Sequence, residues 1–154
     1  MEKKDLKKEV IKIIKELKGE YLKEYKKNLV SIVLFGSYAN DFFTPVSDVD
    51  LIIIFEKIKD SKLSIYSKFF FISENLPTYK KLKKEKIYLN FSPIIKEKSH
   101  LNVNIPYLWN TNFKIFYDKD GFFKQFISKL EDFKKKKIKL KEGIMPYYEI
   151  VKNG

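Results

Sequence analysis

The chain has 154 residues, 44% hydrophobic and 16% aromatic, which suits one folded domain with a real core and excludes a disordered chain. Its net charge of +12 rests on 32 basic residues, all lysine; such charge favours polyanions, but without arginine a sequence-specific DNA reader is disfavoured and only weak, non-specific nucleic-acid binding is expected. Cysteine is absent, so there is no disulfide framework or thiolate metal site. No apolar run nears the ~20 residues that cross a bilayer, and the charged start does not read as a signal peptide. A cytoplasmic location away from membranes is the expectation.

Residues 5–25 carry Leu6, Val10, Ile13, Ile14, Leu17, Tyr21 and Leu22 at helical spacing, with lysines on the other face, and predict a packing helix. Two short apolar runs follow, 32–35 and 51–55, rich in β-branched and aromatic residues and bounded by turn-formers, so both read as buried strands. The first run ends in Gly36-Ser37. After ten intervening residues, Asp48-Val49-Asp50 opens the second. Alternation along a strand turns Asp48 and Asp50 to one side and Val49 to the core. Two adjacent carboxylates repel each other and persist most easily around a cation. Gly36 permits a tight turn, and Ser37 offers a hydroxyl and an N–H at an expected helix start, an arrangement suited to phosphate. Together these residues predict a Mg²⁺-nucleotide site.

The pattern Gly36-Ser37, ten residues, Asp48-x-Asp50, with Tyr38-Ala39 continuing the turn, resembles the signature of the minimal nucleotidyltransferases of the DNA polymerase β superfamily. Either motif alone says little; both at this spacing, each against an apolar strand, make the match specific. The resemblance implies an α/β (α+β) nucleotidyltransferase fold, a mixed sheet with helices packed against it. It also implies that Gly36 and Ser37 hold the terminal phosphates of a nucleoside triphosphate, with ATP the expected donor. Asp48 and Asp50 would bind two Mg²⁺ ions bridging that triphosphate. Asn40-Asp41 stands where family members often have a basic residue followed by glycine. A third carboxylate is expected on a later strand.

Residues 38–43 are expected to make a short helical turn, and 44–47 a loop whose exit Pro45 helps to fix. A polar connection at 56–61 leads to a helical region over 62–84, with Ile65, Phe69, Ile72 and Leu76 as its stripe and Pro77 as a kink or restart. Phe69-Phe70-Phe71 is wide for a single face; it reads as core, with an oligomer contact as its other use. The third strand is predicted at 87–95, with Pro93 marking an edge or bulge. It contains no acid. Asn90 and Ser92 share one face, and Asn90 is the positional candidate for the third metal ligand, although an amide cannot act as a general base. Glu97, the next acid, is the remaining candidate base and is expected on a surface loop.

The lone His100 receives no role. Residues 106–112 predict a short helix with Trp109 packing, 114–117 a further strand, and Asp118-Lys119-Asp120-Gly121 a turn too short for a Ca²⁺ loop. The last helix, 122–135, shows Phe122, Phe126, Ile127, Leu130 and Phe133 on one side, and 138–151 suggests a hairpin across Glu142-Gly143. FYDKDGFFKQFISKL and the earlier SPIIK resemble the C-terminal half of archaeal members of the same family.

The expectation is a single nucleotidyltransferase domain over 1–154 that moves AMP from ATP to a hydroxyl acceptor with Mg²⁺. Minimal members of the family are often paired with a HEPN-domain partner, and some transfer AMP to a tyrosine of it, so the resemblance implies an antitoxin-like role with a protein acceptor. Two alternatives stand beside it. One is a catalytically weak nucleotide-binding module acting through complex formation, since the third acid is missing. The other is a small-molecule nucleotidyltransferase of the antibiotic-modifying type.

Overall fold

The computed structural model describes residues 1–141 and 147–150. In chain order the elements are α1 (Lys3–Tyr25), β1 (Leu29–Phe35), β2 (Val49–Phe55), α2 (Lys62–Glu74), α3 (Pro77–Lys84), β3 (Phe91–Glu97), β4 (Lys114–Asp118), α4 (Phe122–Lys137), β5 (Ile138–Lys141) and β6 (Tyr147–Ile150). The main sheet runs β3-β2-β1-β4; β1 is antiparallel to both neighbours, and β2 and β3 are parallel. This is the expected mixed α/β sheet.

Alternation along the central strands divides the core in two. Ile32 and Leu34 of β1 and Val49, Leu51, Ile53 and Phe55 of β2 face α1, α2 and α3. Val30, Val33, Phe35, Ile52 and Ile54 face α4 and the segment around Leu108 and Trp109. Strands covered on both faces read as continuous apolar runs, which is how they stand in the sequence. Asp50 is the only residue of β1 and β2 that escapes full burial.

The α1 stripe packs as its periodicity predicts, with Leu22 at the margin. Ser61 caps α2 by accepting the Ser64 N–H at 3.1 Å. Pro77 restarts the chain as α3 at a position where the missing N–H costs nothing. The phenylalanine cluster splits: Phe69 is fully buried, whereas Phe71 is 71% exposed. Residues 106–112 hold only a 3-10 turn, Pro106–Leu108. Trp109 packs in the core, its indole N–H donating to the Val103 carbonyl at 2.8 Å.

Two further elements differ from the sequence expectation. The third strand begins at Phe91 rather than 87 and extends to Glu97, because it pairs with β2 from Val49 onward. Pro93 lies inside it, on the outer edge strand, as its missing donor requires. Two residues further on, where the N–H faces the same outer edge, Ile95 donates to the Tyr66 hydroxyl at 2.9 Å. In α4 the fully buried residue is Phe123, with Phe126 and Leu130, while Phe122, Ile127 and Phe133 pack at the margin. The phase follows from how the helix starts. The Asp118 carboxylate accepts the Phe123 and Lys124 N–H groups at 2.8 and 3.0 Å and the buried Ser31 hydroxyl at 2.8 Å. The hairpin pairs β5 with β6 from Ile138↔Ile150 to Lys141↔Tyr147; its turn at Glu142-Gly143 lies outside the described residues. Among the described residues no helix is long and apolar enough to cross a membrane.

Candidate active site

The two sequence motifs meet at one point. The antiparallel register of β1 and β2 pairs Phe35 with Asp50, so the chain turns at Gly36 directly beside that carboxylate. Gly36 has φ +73°, and a Cβ there would lie 2.2 Å from Asp50 Oδ2. Both the backbone conformation and the close approach therefore favour glycine. After it the chain makes one helical turn, the Asn40 N–H donating to the Gly36 carbonyl and the Phe42 N–H to the Ser37 carbonyl, each at 3.0 Å. The turn then stops. Asp41 takes the left-handed conformation, φ 60°, at the position where glycine is common in the resembling sequences. Its carboxylate pairs with Lys7, and its carbonyl accepts Lys3 Nζ at 2.9 Å, tying the turn to α1.

Asn40 makes a different link. Its Oδ1 accepts the Asn112 N–H at 2.8 Å, and Thr111 Oγ1 accepts the Gly36 N–H at 2.8 Å. The Thr111 hydroxyl in turn donates to the Asn112 carbonyl at 3.0 Å. Where the resembling sequences often have a basic residue, this chain has a clasp to a loop 75 residues away in sequence from Gly36. Nothing local announces such a contact, and sequence reasoning missed it. The clasp closes one side of a cleft of about 570 Å³, with Gly36, Ser37 and Asp50 at its base and Ile94, Tyr107 and Thr111 on its walls.

Asp48 stands exposed one residue before β2, and Asp50 is half-buried within it. Burial, and then the negative charge of Asp48, push the Asp50 carboxyl above the usual carboxylate range. Neither acid has an ion-pair partner among the described residues. Two uncompensated neighbouring carboxylates, of which Asp50 lines the cleft, fit Mg²⁺, which takes one or two carboxylates and completes its shell with water and phosphate oxygens. Ser37, partly exposed at the turn, donates neither its N–H nor its hydroxyl to any protein acceptor among the described residues.

A family model described as a nucleotidyltransferase domain matches residues 7–145. The chain belongs to the nucleotidyltransferase family. A protein of Methanocaldococcus jannaschii named "putative protein adenylyltransferase" is 28% identical, the match covering 78% of this chain and 82% of that relative. Both findings agree with the minimal nucleotidyltransferases of the DNA polymerase β superfamily.

The third acid of this nucleotidyltransferase is not supplied by the described residues, among which no group of three or more His, Cys, Asp or Glu side chains could hold a metal. Asn90, ranked first from the sequence, lies outside the strand that was to carry it. It is exposed, and its carbonyl accepts the Val49 N–H at 2.8 Å, which leaves it level with Asp48 at the lip. It lines a separate hollow with Phe70, Glu74 and Tyr79. The residue in register beside Asp50, on the same sheet face, is Ser92. Glu97 is not on a loop but ends β3, level with Phe55. Five residues beyond Ser92, it is about 16 Å along the strand from the cleft. It accepts the Ile58 N–H at 3.1 Å and the Ser99 hydroxyl at 2.7 Å; these bonds hold its carboxyl below the ordinary range. Glu97 closes the far end of the sheet and is out of reach as a base.

Proposed function

We propose that this nucleotidyltransferase moves AMP from ATP to a hydroxyl of a protein acceptor, a tyrosine of a HEPN-type partner, in an antitoxin-like role. The observation that carries the reading is the junction of Gly36 with Asp50, where an added Cβ would meet the carboxylate at 2.2 Å. A triphosphate held on the Gly36-Ser37 turn would lie against Asp48 and Asp50. The protein acceptor is supported by the name of the Methanocaldococcus relative and by the pairing habit of minimal family members.

In this reading the Ser37 N–H and hydroxyl bind the β- and γ-phosphates, which orients the α-phosphorus toward the acceptor. Asp48 and Asp50 would hold Mg²⁺, which when bound offsets charge on the triphosphate. The acceptor oxygen bonds to the α-phosphorus, the bond to the α–β bridging oxygen breaks, and pyrophosphate leaves with that electron pair. The acceptor proton goes to solvent, because Ser92 and Asn90 are neutral side chains that cannot take it. Positioning and charge neutralisation carry the rate.

The lack of a third carboxylate among the described residues favours a second reading, a nucleotide-binding module that works by complex formation. One experiment separates the two: ATP labelled at the α-phosphate, Mg²⁺ and a HEPN-type protein as acceptor, with wild type and with Asp48→Asn/Asp50→Asn. Label on the partner from wild type alone supports transfer. Equal label from the double variant removes the site assignment. ATP binding without any label leaves the binding module.

A further inference from the structure

The cleft has a wall that neither motif supplies. Tyr107 sits in the middle of the Pro106–Leu108 turn and lines the same cleft as Gly36, Ser37 and Asp50. Leu108 is that turn's contribution to the core, 1% exposed, whereas Tyr107 remains 50% exposed. Its ring stacks on Phe35, with centroids 6.2 Å apart and planes 30° from parallel. Phe35 precedes Gly36 and pairs with Asp50, so the Tyr107 ring is tied to the same few residues as the two motifs.

The loop that carries this ring is anchored at both ends. Leu108 and Trp109 are buried against α4 residues, and the bonds from Gly36 and Asn112 to Thr111 and Asn40 fasten the loop to the Gly-Ser turn. A half-exposed aromatic ring, fixed on an anchored loop beside a site for phosphate, is a surface for a flat heterocycle. Every nucleobase has a π-face, and stacking on an aromatic side chain needs no specific hydrogen bonds.

We propose that Tyr107 is the base-stacking residue of the nucleotide site, and that the Thr111–Asn40 clasp holds its loop level with the Gly36-Ser37 turn. The proposal rests on the nucleotide reading above. Calorimetric titration of Mg²⁺ with ATP, and of Mg²⁺ with inorganic tripolyphosphate, which has no base, tests it in wild type, Tyr107→Ala, Tyr107→Leu and Tyr107→Phe. Tyr107→Ala should weaken ATP binding about 5- to 150-fold, the range of one lost base–aromatic stack. Tyr107→Leu, which keeps apolar bulk and protects folding, should weaken it in the same direction, and Tyr107→Phe should stay near wild type. Tripolyphosphate affinity should not change in any of them. Wild-type ATP affinity in Tyr107→Ala or Tyr107→Leu overturns the proposal, as does an equal loss for ATP and tripolyphosphate. Equal wild-type affinity for the two ligands removes the base site but leaves the phosphate site standing. A wild type that binds neither ligand removes both.

Discussion

Replacing Gly36 by alanine puts strain on the junction that unites the two motifs. At φ +73° an L-residue costs about 1–2 kcal/mol, offset by about 0.4–1 kcal/mol because alanine stiffens the unfolded chain. The new Cβ would also stand 2.2 Å from Oδ2, 3.0 Å from Cγ and 3.2 Å from Cβ of Asp50. Oδ2 can rotate away, but the Cγ and Cβ contacts also press on the strand, so part of the clash must be met by the β1–β2 pairing. A stability loss of about 1–3 kcal/mol is expected, or about 2–10 °C in Tm for a chain of this size. Mg²⁺-dependent ATP binding should fall by more than about tenfold, since moving Asp50 costs the site at least one charge-assisted contact. Gly19→Ala is the control: it lies within α1, nothing is within 4 Å of the added Cβ, and it should stabilise by about 0.5–1 kcal/mol. Thermal unfolding in chelator and calorimetric titration of ATP with Mg²⁺ measure the two effects. Wild-type stability and affinity in Gly36→Ala would refute the reasoning, and so would an equal loss in both alanine variants.

Ser37→Ala should weaken ATP binding by about 1–2 kcal/mol, the scale of a hydrogen bond to a charged group, and AMP binding much less; equal losses would make Ser37 purely structural. Ser92→Asp, in register beside Asp50, should tighten Mg²⁺ binding and speed transfer, since a base typically contributes about 10²–10⁴-fold. Asn90→Asp at the lip should do less, and the reverse order would contradict the register argument. Asp50→Asn should stabilise the metal-free protein at neutral pH. The folded state raises the Asp50 pKa, so its carboxylate costs stability as pH rises through the carboxyl range, and the advantage of asparagine should vanish below that range; a destabilised variant at neutral pH in chelator would refute this. Asp118→Ala removes the acceptor for two α4 amides and leaves the buried Ser31 hydroxyl alone. It should cost about 2–4 kcal/mol in urea unfolding, and a loss below about 0.5 kcal/mol would show that α4 starts without this cap.

What the sequence determined by itself is what depends on neighbours along the chain. The α1 stripe from Leu6 to Tyr21 follows from a 3.6-residue period, and β1 and β2 from apolar runs between turn-formers. The Gly36-Ser37 and Asp48-x-Asp50 motifs are likewise local patterns, and they were enough to name the family. Tertiary structure decided what depends on pairing between distant segments. Strand register is set by hydrogen bonds between β2 and β3, so only the folded sheet could put Ser92 level with Asp50 and remove Glu97 to the other end. The phase of α4 could not be read from its own phenylalanines, since Phe122 and Phe123 both fit an apolar stripe until the Asp118 carboxylate chooses the first turn. Thr111 and Tyr107 belong to no motif. They reach the cleft because the chain after β3 crosses back over the sheet face, and a contact made across 75 residues leaves no periodic trace in the sequence.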